Sequence, residues 1–160
     1  MRELDNTDRK ILQALQHDAR LTAKELGAAV NLSSSPAHDR QKRLEQEGFI
    51  KKYVAIVDAK KVGNGFIVFC NIRLKHHSRA YGMEFMQVIN GLDEVTECYN
   101  TSGDYDFMAK IYVRDMAHYQ DFVLNKLGDI DCIGSLHSTF VIGEVKHTHA
   151  VPIAATGQQE

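Results

Sequence analysis

One stretch dictates most of what this chain can become: Leu21 to Ile50, LTAKELGAAVNLSSSPAHDRQKRLEQEGFI. Its punctuation leaves room for two short helices and almost nothing between them. Thr22 followed by Glu25 is the capping-box spacing, in which the two residues satisfy each other's backbone donors at a helix start. Leu21 and Leu26 flank that cap at the positions of a hydrophobic staple. The first helix then runs to about Val30, where Asn31 suits the left-handed residue past a helix end. Leu32 is apolar. Ser33 is placed to cap a second helix, and Pro36 falls in its first turn, where a missing N–H costs little. Gly48 ends that helix. Two helices joined so tightly predict a helix-turn-helix.

Projected at about 100° per residue, the second helix turns Ala37, Gln41 and Leu44 inward. Ser35, Asp39, Lys42 and Gln46 fall on the opposite side, with His38 and Arg43 at the flanks. In a helix-turn-helix the N-terminal part of the second helix meets base edges in the major groove. Ser35, His38, Asp39 and Lys42 are therefore the expected base readers. Arg40, Arg43 and Lys51 or Lys52 are better placed for phosphates, which position a protein without reading sequence. With Ser33 and Ser34 at the helix start, these make the expected DNA-binding set. Any surface helix carries a charged outer face, so it is the tight cap-to-cap geometry that favours double-stranded DNA as partner.

The charge distribution agrees. The net charge is −2, but residues 1–61 hold 12 Lys+Arg against 9 Asp+Glu, and residues 62–160 hold 7 against 12. A mildly basic front half fits a polyanionic partner. Its excess is modest, so several subunits binding together are expected to supply the affinity. No apolar run approaches the roughly 20 residues of a membrane span, and the start, MRELDNTDRK, lacks an apolar signal core. The expected location is the cytosol. The three cysteines, Cys70, Cys98 and Cys132, are widely spaced and odd in number, which suits buried thiols rather than a disulfide framework.

The remaining chain reads in order. Leu4 to His17 is a first helix with Asp5 as cap and Ile11, Leu12 and Leu15 along one stripe. Ile50, Tyr53, Ala55 and Val57 favour a strand or wing, and Gly63-Asn64-Gly65 marks a boundary. Phe66 to Leu74 reads as a strand. Ser78 caps a helix to Leu92 striped by Tyr81, Phe85, Val88, Ile89 and Leu92. Val95 to Thr101 and Asp106 to Val113 are strands. Asp115 caps a helix striped by Met116, Tyr119, Phe122, Val123 and Leu127, and Ile133 to Val145 is a long last strand. This strand-helix-strand-strand-helix-strand order is the ferredoxin-like split unit. One sheet face of such a unit is left for a partner, and a second copy of the chain is the simplest one. The expected fold is α+β: a helix-turn-helix domain over 1–50, a strand and linker over 51–65, a ferredoxin-like domain over 66–150 and a flexible tail over 151–160.

At this level of detail the chain resembles a known family. LDNTDRKILQALQHDARLTAKELGAAVNLS, RLEQEGFI, Tyr53 with Ala55, TSGDYDF and GEVK are similar to the Lrp/AsnC (leucine-responsive, feast/famine) transcription regulators. The resemblance spans roughly residues 3 to 153. It implies an N-terminal winged DNA-binding domain, a C-terminal domain that dimerises and senses amino acids, assembly into dimers and further into tetramers or octamers, and a place in the bacterial or archaeal cytosol, associated with the nucleoid. Gln41 departs from the pattern, standing where the family usually places an apolar residue.

The loop Thr101-Ser102-Gly103-Asp104-Tyr105-Asp106 matches the family's effector region. Chemically, Gly103 permits a turn with positive φ and close approach of a ligand. Asp104 or Asp106 suits an α-ammonium group, loop N–H groups with Ser138 or Thr139 suit an α-carboxylate, and Met108 is a side-chain selector. A plain hairpin is the competing reading of the same Gly-Asp pair. His147 and His149 share one side of an extended segment, but with no third ligand evident a solvated strand end is expected there rather than a metal. There is no nucleophile motif, Walker or dinucleotide loop, or paired-carboxylate spacing. The expectation is therefore a non-enzymatic, amino-acid-responsive DNA-binding regulator without a cofactor. The competing possibility is an amino-acid-binding metabolic enzyme or enzyme regulatory subunit that does not bind DNA.

Overall fold

A computed structural model describes residues 2–154. The chain divides into two units: Met1–Ala55 with the returning C-terminal segment from Lys146, and Ile56–Val145.

The first unit contains α1 (Asn6–His17), α2 (Ala23–Val30) and α3 (Ser34–Gln46). Asp5 caps α1, its carboxylate accepting from the Asp8 amide at 2.8 Å. The capping box opens α2: the Glu25 amide donates to Thr22 Oγ1 at 3.3 Å, and the Thr22 amide donates to Glu25 Oε2 at 2.8 Å. Asn31 sits at φ 59°, and the Leu32 amide returns to the Gly27 carbonyl at 2.9 Å. The turn into α3 thus folds back on Gly27, where a Cβ would lie 2.7 Å from the Leu32 carbonyl oxygen. Only glycine accommodates that approach. Ser33 occupies the cap position of α3, but its side chain makes no capping hydrogen bond. Past α3 the Phe49 amide closes on the Leu44 carbonyl at 2.9 Å, with Gly48 left-handed at φ 78°. Ile11, Leu15, Leu26, Val30, Ala37 and Leu44 form the core of this unit. Each larger apolar side chain there contributes about 1.5–3 kcal/mol by burial.

Two expectations for this unit change. Residues 51–58 form no regular element and join no ladder among the described residues, so the expected strand lacks a pairing partner. The C-terminal segment, expected to be loose from 151, instead lies along α1. The Val151 amide donates to Gln16 Oε1 at 2.7 Å, Gln16 Nε2 donates to the Val151 carbonyl at 3.2 Å, and Arg9 donates to the Ala154 carbonyl. The side-chain amide of Gln16 mimics a backbone partner there, which no periodicity argument detects. The rest of that expected tail, 155–160, lies outside the described residues.

The second unit contains β1 (Phe66–Leu74), α4 (Arg79–Ile89), β2 (Val95–Asn100), β3 (Phe107–Val113), α5 (Met116–Phe122) and β4 (Ile133–Phe140), with a widened helical turn at Val123–Leu127. The sheet order is β2-β3-β1-β4 with every pair antiparallel, the arrangement of the split unit. Ser78 and Asp115 cap α4 and α5 by accepting from the Tyr81 and His118 amides at 3.2 and 2.8 Å. Strict alternation on β3 buries Phe107, Ala109, Ile111 and Val113 against Val68, Cys70 and Ile72 of β1 and Phe85 and Phe122 of the helices. The opposite sheet face carries Ile67, Phe69, Met108 and Tyr112, each only half-buried.

β4 ends at Phe140, five residues short of the expected Val145. Its neighbour β1 begins at Phe66, and the last rung is the Val141 amide on the Ile67 carbonyl at 3.1 Å. Beyond it Ile142 and Val145 have no strand to pair with and are fully exposed. Val88 and Met116, assigned to apolar stripes from spacing, are also exposed.

Candidate nucleic-acid interface and effector loop

The far side of α3 has the expected character. Ser33, Ser34, Ser35, His38, Asp39, Lys42 and Gln46 are all exposed, while Ala37 and Leu44 are wholly buried beneath them. Ser35, Asp39, Lys42 and Gln46 succeed one another at three- and four-residue steps, so they form one stripe. Gln41 does not pack inward as an apolar residue would. Its Nε2 donates to the Tyr53 hydroxyl at 2.9 Å, and Tyr53 donates to Glu45 Oε1 at 2.8 Å.

Arg40 and Arg43 have partners within the protein. Expected at phosphates, both turn toward α1. Arg40 Nη1 lies 2.8 Å from Asp8 Oδ1 and 2.5 Å from Asp5 Oδ2, and Arg43 Nη2 lies 3.2 Å from Asp8 Oδ1. Arg2 Nη2 binds the other Asp8 oxygen at 2.7 Å. The physical reason is that the Asp8 side chain has no exposed surface, and a buried carboxylate needs paired cations. Burial alone would raise its pKa, but hydrogen bonds from Arg2 and Arg40 outweigh that and hold it below the ordinary value. The Arg40 hydrogen bond, aided by the Asp8 amide, lowers Asp5 in the same sense.

In the sheet unit, the turn between β2 and β3 is built from Thr101 to Asp106. Gly103 sits at φ 114°, a conformation open to few other residues. Ser102, Gly103 and Asp104 are exposed. The turn is closed by the Thr101 amide on the Asp106 carbonyl at 2.9 Å and by Thr101 Oγ1 on the Tyr105 carbonyl at 2.9 Å.

Two expected effector residues have other occupations. Asp106 Oδ2 accepts from the Leu74 amide at 2.8 Å, and Oδ1 lies 2.9 Å from His77 Nδ1. It ties the turn to the end of β1. Ser138 pairs with Cys70 on the helix-covered face, and its hydroxyl lies 2.5 Å from that of Tyr119. Burial pushes the Tyr119 phenol up to about 12, despite the opposing Ser138 hydrogen bond, so it keeps its proton at neutral pH. Thr139 is exposed on the other face but pairs with Phe69, three residues before Ile72. The Asp106 amide bonds the Ile72 carbonyl, so Thr139 stands roughly 10 Å from the turn along the strand.

The side chains that do reach the turn went unassigned from sequence. Arg73 Nε donates to the Asp104 carbonyl at 2.7 Å, and its guanidinium lies 5.5 Å from the centre of the Tyr105 ring. His137 lies beside Tyr105, with ring centres 6.1 Å apart and the planes tilted by 30°. Arg73 carried a faint signal, as the one cation in the apolar run of β1. His147 and His149 face each other with ring centres 4.9 Å apart, and the described residues contain no group of three candidate metal-ligating side chains. No helix among them is long and apolar enough to cross a membrane.

A capped two-helix reader joined to a split βαββαβ unit with an exposed, glycine-hinged turn defines a class: DNA-binding regulators that carry a small-molecule domain. Residues 4–51 match the winged helix-turn-helix DNA-binding family, and residues 67–151 match the Lrp/AsnC ligand binding domain. The chain belongs to the Lrp/AsnC family of transcriptional regulators. It is 34% identical over 150 residues to the DNA-binding transcriptional activator DecR of Escherichia coli, covering 94% of this chain and 99% of that one. It is 36% identical over 150 residues to the transcriptional regulator AzlB of Bacillus subtilis, covering 94% and 96%. Among solved structures it is similar to a transcriptional regulator of Neisseria meningitidis in complex with L-Met, with a TM-score of 0.90, 33% identity and coverage of 94% and 97%. It is also similar to E. coli AsnC, with a TM-score of 0.85, 31% identity and coverage of 94% and 100%. The protein is thus a DNA-binding transcriptional regulator with a ligand-binding domain of the kind that responds to amino acids.

Proposed function

We propose that α3 reads duplex DNA through Ser34, Ser35, His38, Asp39 and Lys42, and that an amino acid bound at the 101–106 turn changes how the protein occupies DNA. The observation that carries the first part is the unbroken exposed stripe Ser35, Asp39, Lys42 and Gln46 on a helix whose opposite side is locked into the core. The hydroxyl, imidazole, carboxylate and ammonium groups on this side suit the donor and acceptor pattern of the major groove.

For the effector, Asp104 is the acceptor for an α-ammonium group, since Asp106 is engaged by Leu74 and His77. The exposed amides of Ser102 and Gly103, with Arg73 close by, suit the α-carboxylate. Tyr105 and Met108 flank the space for its side chain. The half-buried apolar face of the sheet supports self-association, with a second copy covering Ile67, Phe69, Met108 and Tyr112. An effector acts on DNA binding only by preferring one assembly or conformation over another.

The deciding experiment selects bound duplexes from a random pool, with and without a mixture of amino acids, and compares the intact chain with Ser35→Ala, His38→Ala and Asp104→Ala. The two reader variants are expected to relax the selected sequence, at roughly 1–3 kcal/mol per lost base contact. Asp104→Ala is expected to keep the sequence and lose the amino-acid effect. Selection of the same sequence by both reader variants removes the assignment of α3. An amino-acid effect that survives Asp104→Ala removes the assignment of the turn.

A further inference from the structure

The ion-pair cluster beneath α3 bears on how the reader is aimed. The inner side of this helix offers only two buried apolar side chains, Ala37 and Leu44, and Ala37 has no atom beyond Cβ. The third inward position, Gln41, is polar and bonded sideways to Tyr53 and Glu45. Two apolar contacts of unequal size specify the roll of a helix about its own axis loosely. What specifies it sharply is a buried charge. The two Asp8 oxygens receive Arg2 from the N-terminal arm and Arg40 and Arg43 from α3, while Asp5 and Glu47 bind Arg40 and Arg2 from the rim. Three guanidiniums face three carboxylates, so the cluster is formally neutral. Moving Arg40 and Arg43 to phosphates would leave the buried Asp8 with Arg2 alone, and stripping partners from a buried charge is strongly unfavourable.

We propose that Asp8 is the positioning residue of the reader helix. It holds Arg40 and Arg43 as anchors on the α1 side, sets the roll of α3 so that the stripe from Ser35 to Gln46 faces outward, and withdraws both arginines from phosphate binding. Of the lysine and arginine side chains within α3, Lys42 remains outward, so beside its base contact it is the one whose charge displaces counterions from the DNA. This rests on the reading that α3 lies in the groove, and the test separates the two.

Affinity of the full chain for a selected duplex and for a random duplex is measured across a range of salt, with concentrations referred to folded protein. Lys42→Ala is expected to flatten the slope of log K against log salt by about 0.9 for each subunit engaged. Arg40→Gln and Arg43→Gln are expected to leave the slope unchanged while lowering the ratio of selected to random binding at least tenfold. Asp8→Asn, which removes the buried charge that both arginines share, is expected to steepen the slope and lower the same ratio. A helix merely weakened in its packing would lose both affinities together and keep the ratio, which would overturn the proposal. Flattening by either arginine variant as large as that of Lys42→Ala would also overturn it, because the arginines would then be phosphate contacts. If every α3 variant leaves slope and ratio unchanged, the groove reading itself fails. Should Asp8→Asn not fold, the two arginine variants decide alone.

Discussion

The Tyr53 hydroxyl sits between two side chains of α3, accepting from Gln41 Nε2 at 2.9 Å and donating to Glu45 Oε1 at 2.8 Å. A residue from the segment after the reader is thereby clipped to its C-terminal half. The clip explains why a polar residue is tolerated at Gln41, a position whose spacing asks for an apolar one.

Tyr53→Phe removes the hydroxyl and leaves both α3 partners to water. Because the site is half-exposed, the expected loss is about 0.5–1.5 kcal/mol, the net value of an ordinary hydrogen bond. Gln41→Leu keeps the Tyr53–Glu45 bond and is expected to be close to neutral. Denaturant unfolding of the two variants and their double mutant gives the coupling directly, and equal losses for both would show that the clip acts otherwise.

Thr22→Ala breaks the capping box at the start of α2. The expected cost is about 1 kcal/mol, seen as a lower unfolding midpoint with an unchanged denaturant slope. Ser33→Ala is expected to cost less, because the Ser33 side chain makes no capping bond. A larger loss at Ser33 than at Thr22 would contradict this ranking.

Acid tests the Asp5 and Asp8 cluster. Both carboxyls are held below their ordinary value of 3.8 in the folded chain. The folded state therefore binds these protons less readily than the unfolded one. Their contribution is complete above about pH 4 and is lost as pH falls below 3.8 through the lowered folded values. Stability followed from pH 6 to pH 2 is expected to drop most steeply in that lower window for the intact chain, and less steeply for Asp8→Asn.

At the turn, Asp106 and Asp104 are predicted to separate. Asp106→Ala strands the Leu74 amide and is expected to cost about 1–3 kcal/mol, with faster hydrogen exchange at Leu74. Asp104→Ala, on an exposed side chain, is expected to leave stability within about 0.5 kcal/mol and to weaken the response to an amino acid. Loss of stability from Asp104→Ala, with none from Asp106→Ala, would reverse the roles assigned here.

Much of this was legible in advance wherever the physics is local. The Thr22–Glu25 box, Asn31 in the left-handed region, and the Asp5, Ser78 and Asp115 caps depend on residues within a few positions of one another, and spacing alone exposes them. So does the alternation of β3, since a strand half-covered by helices buries every second residue. The family resemblance rests on the same short segments.

What sequence spacing does not show are interactions that cross between elements. That Arg40 and Arg43 lie over a wholly buried Asp8 is one such case, because charge on a helix surface says nothing about which neighbour lies under it. Ser138 and Thr139 are adjacent in sequence, yet the pleat sends them to opposite sheet faces, while Arg73 and His137 reach the turn from β1 and β4. By itself the sequence determined the element order, the caps and the class of protein, since those follow from propensity and periodicity along the chain. Only the tertiary structure decided which charges are spent inside the protein and which remain outward for DNA or a ligand, because desolvation depends on what the fold packs around each group.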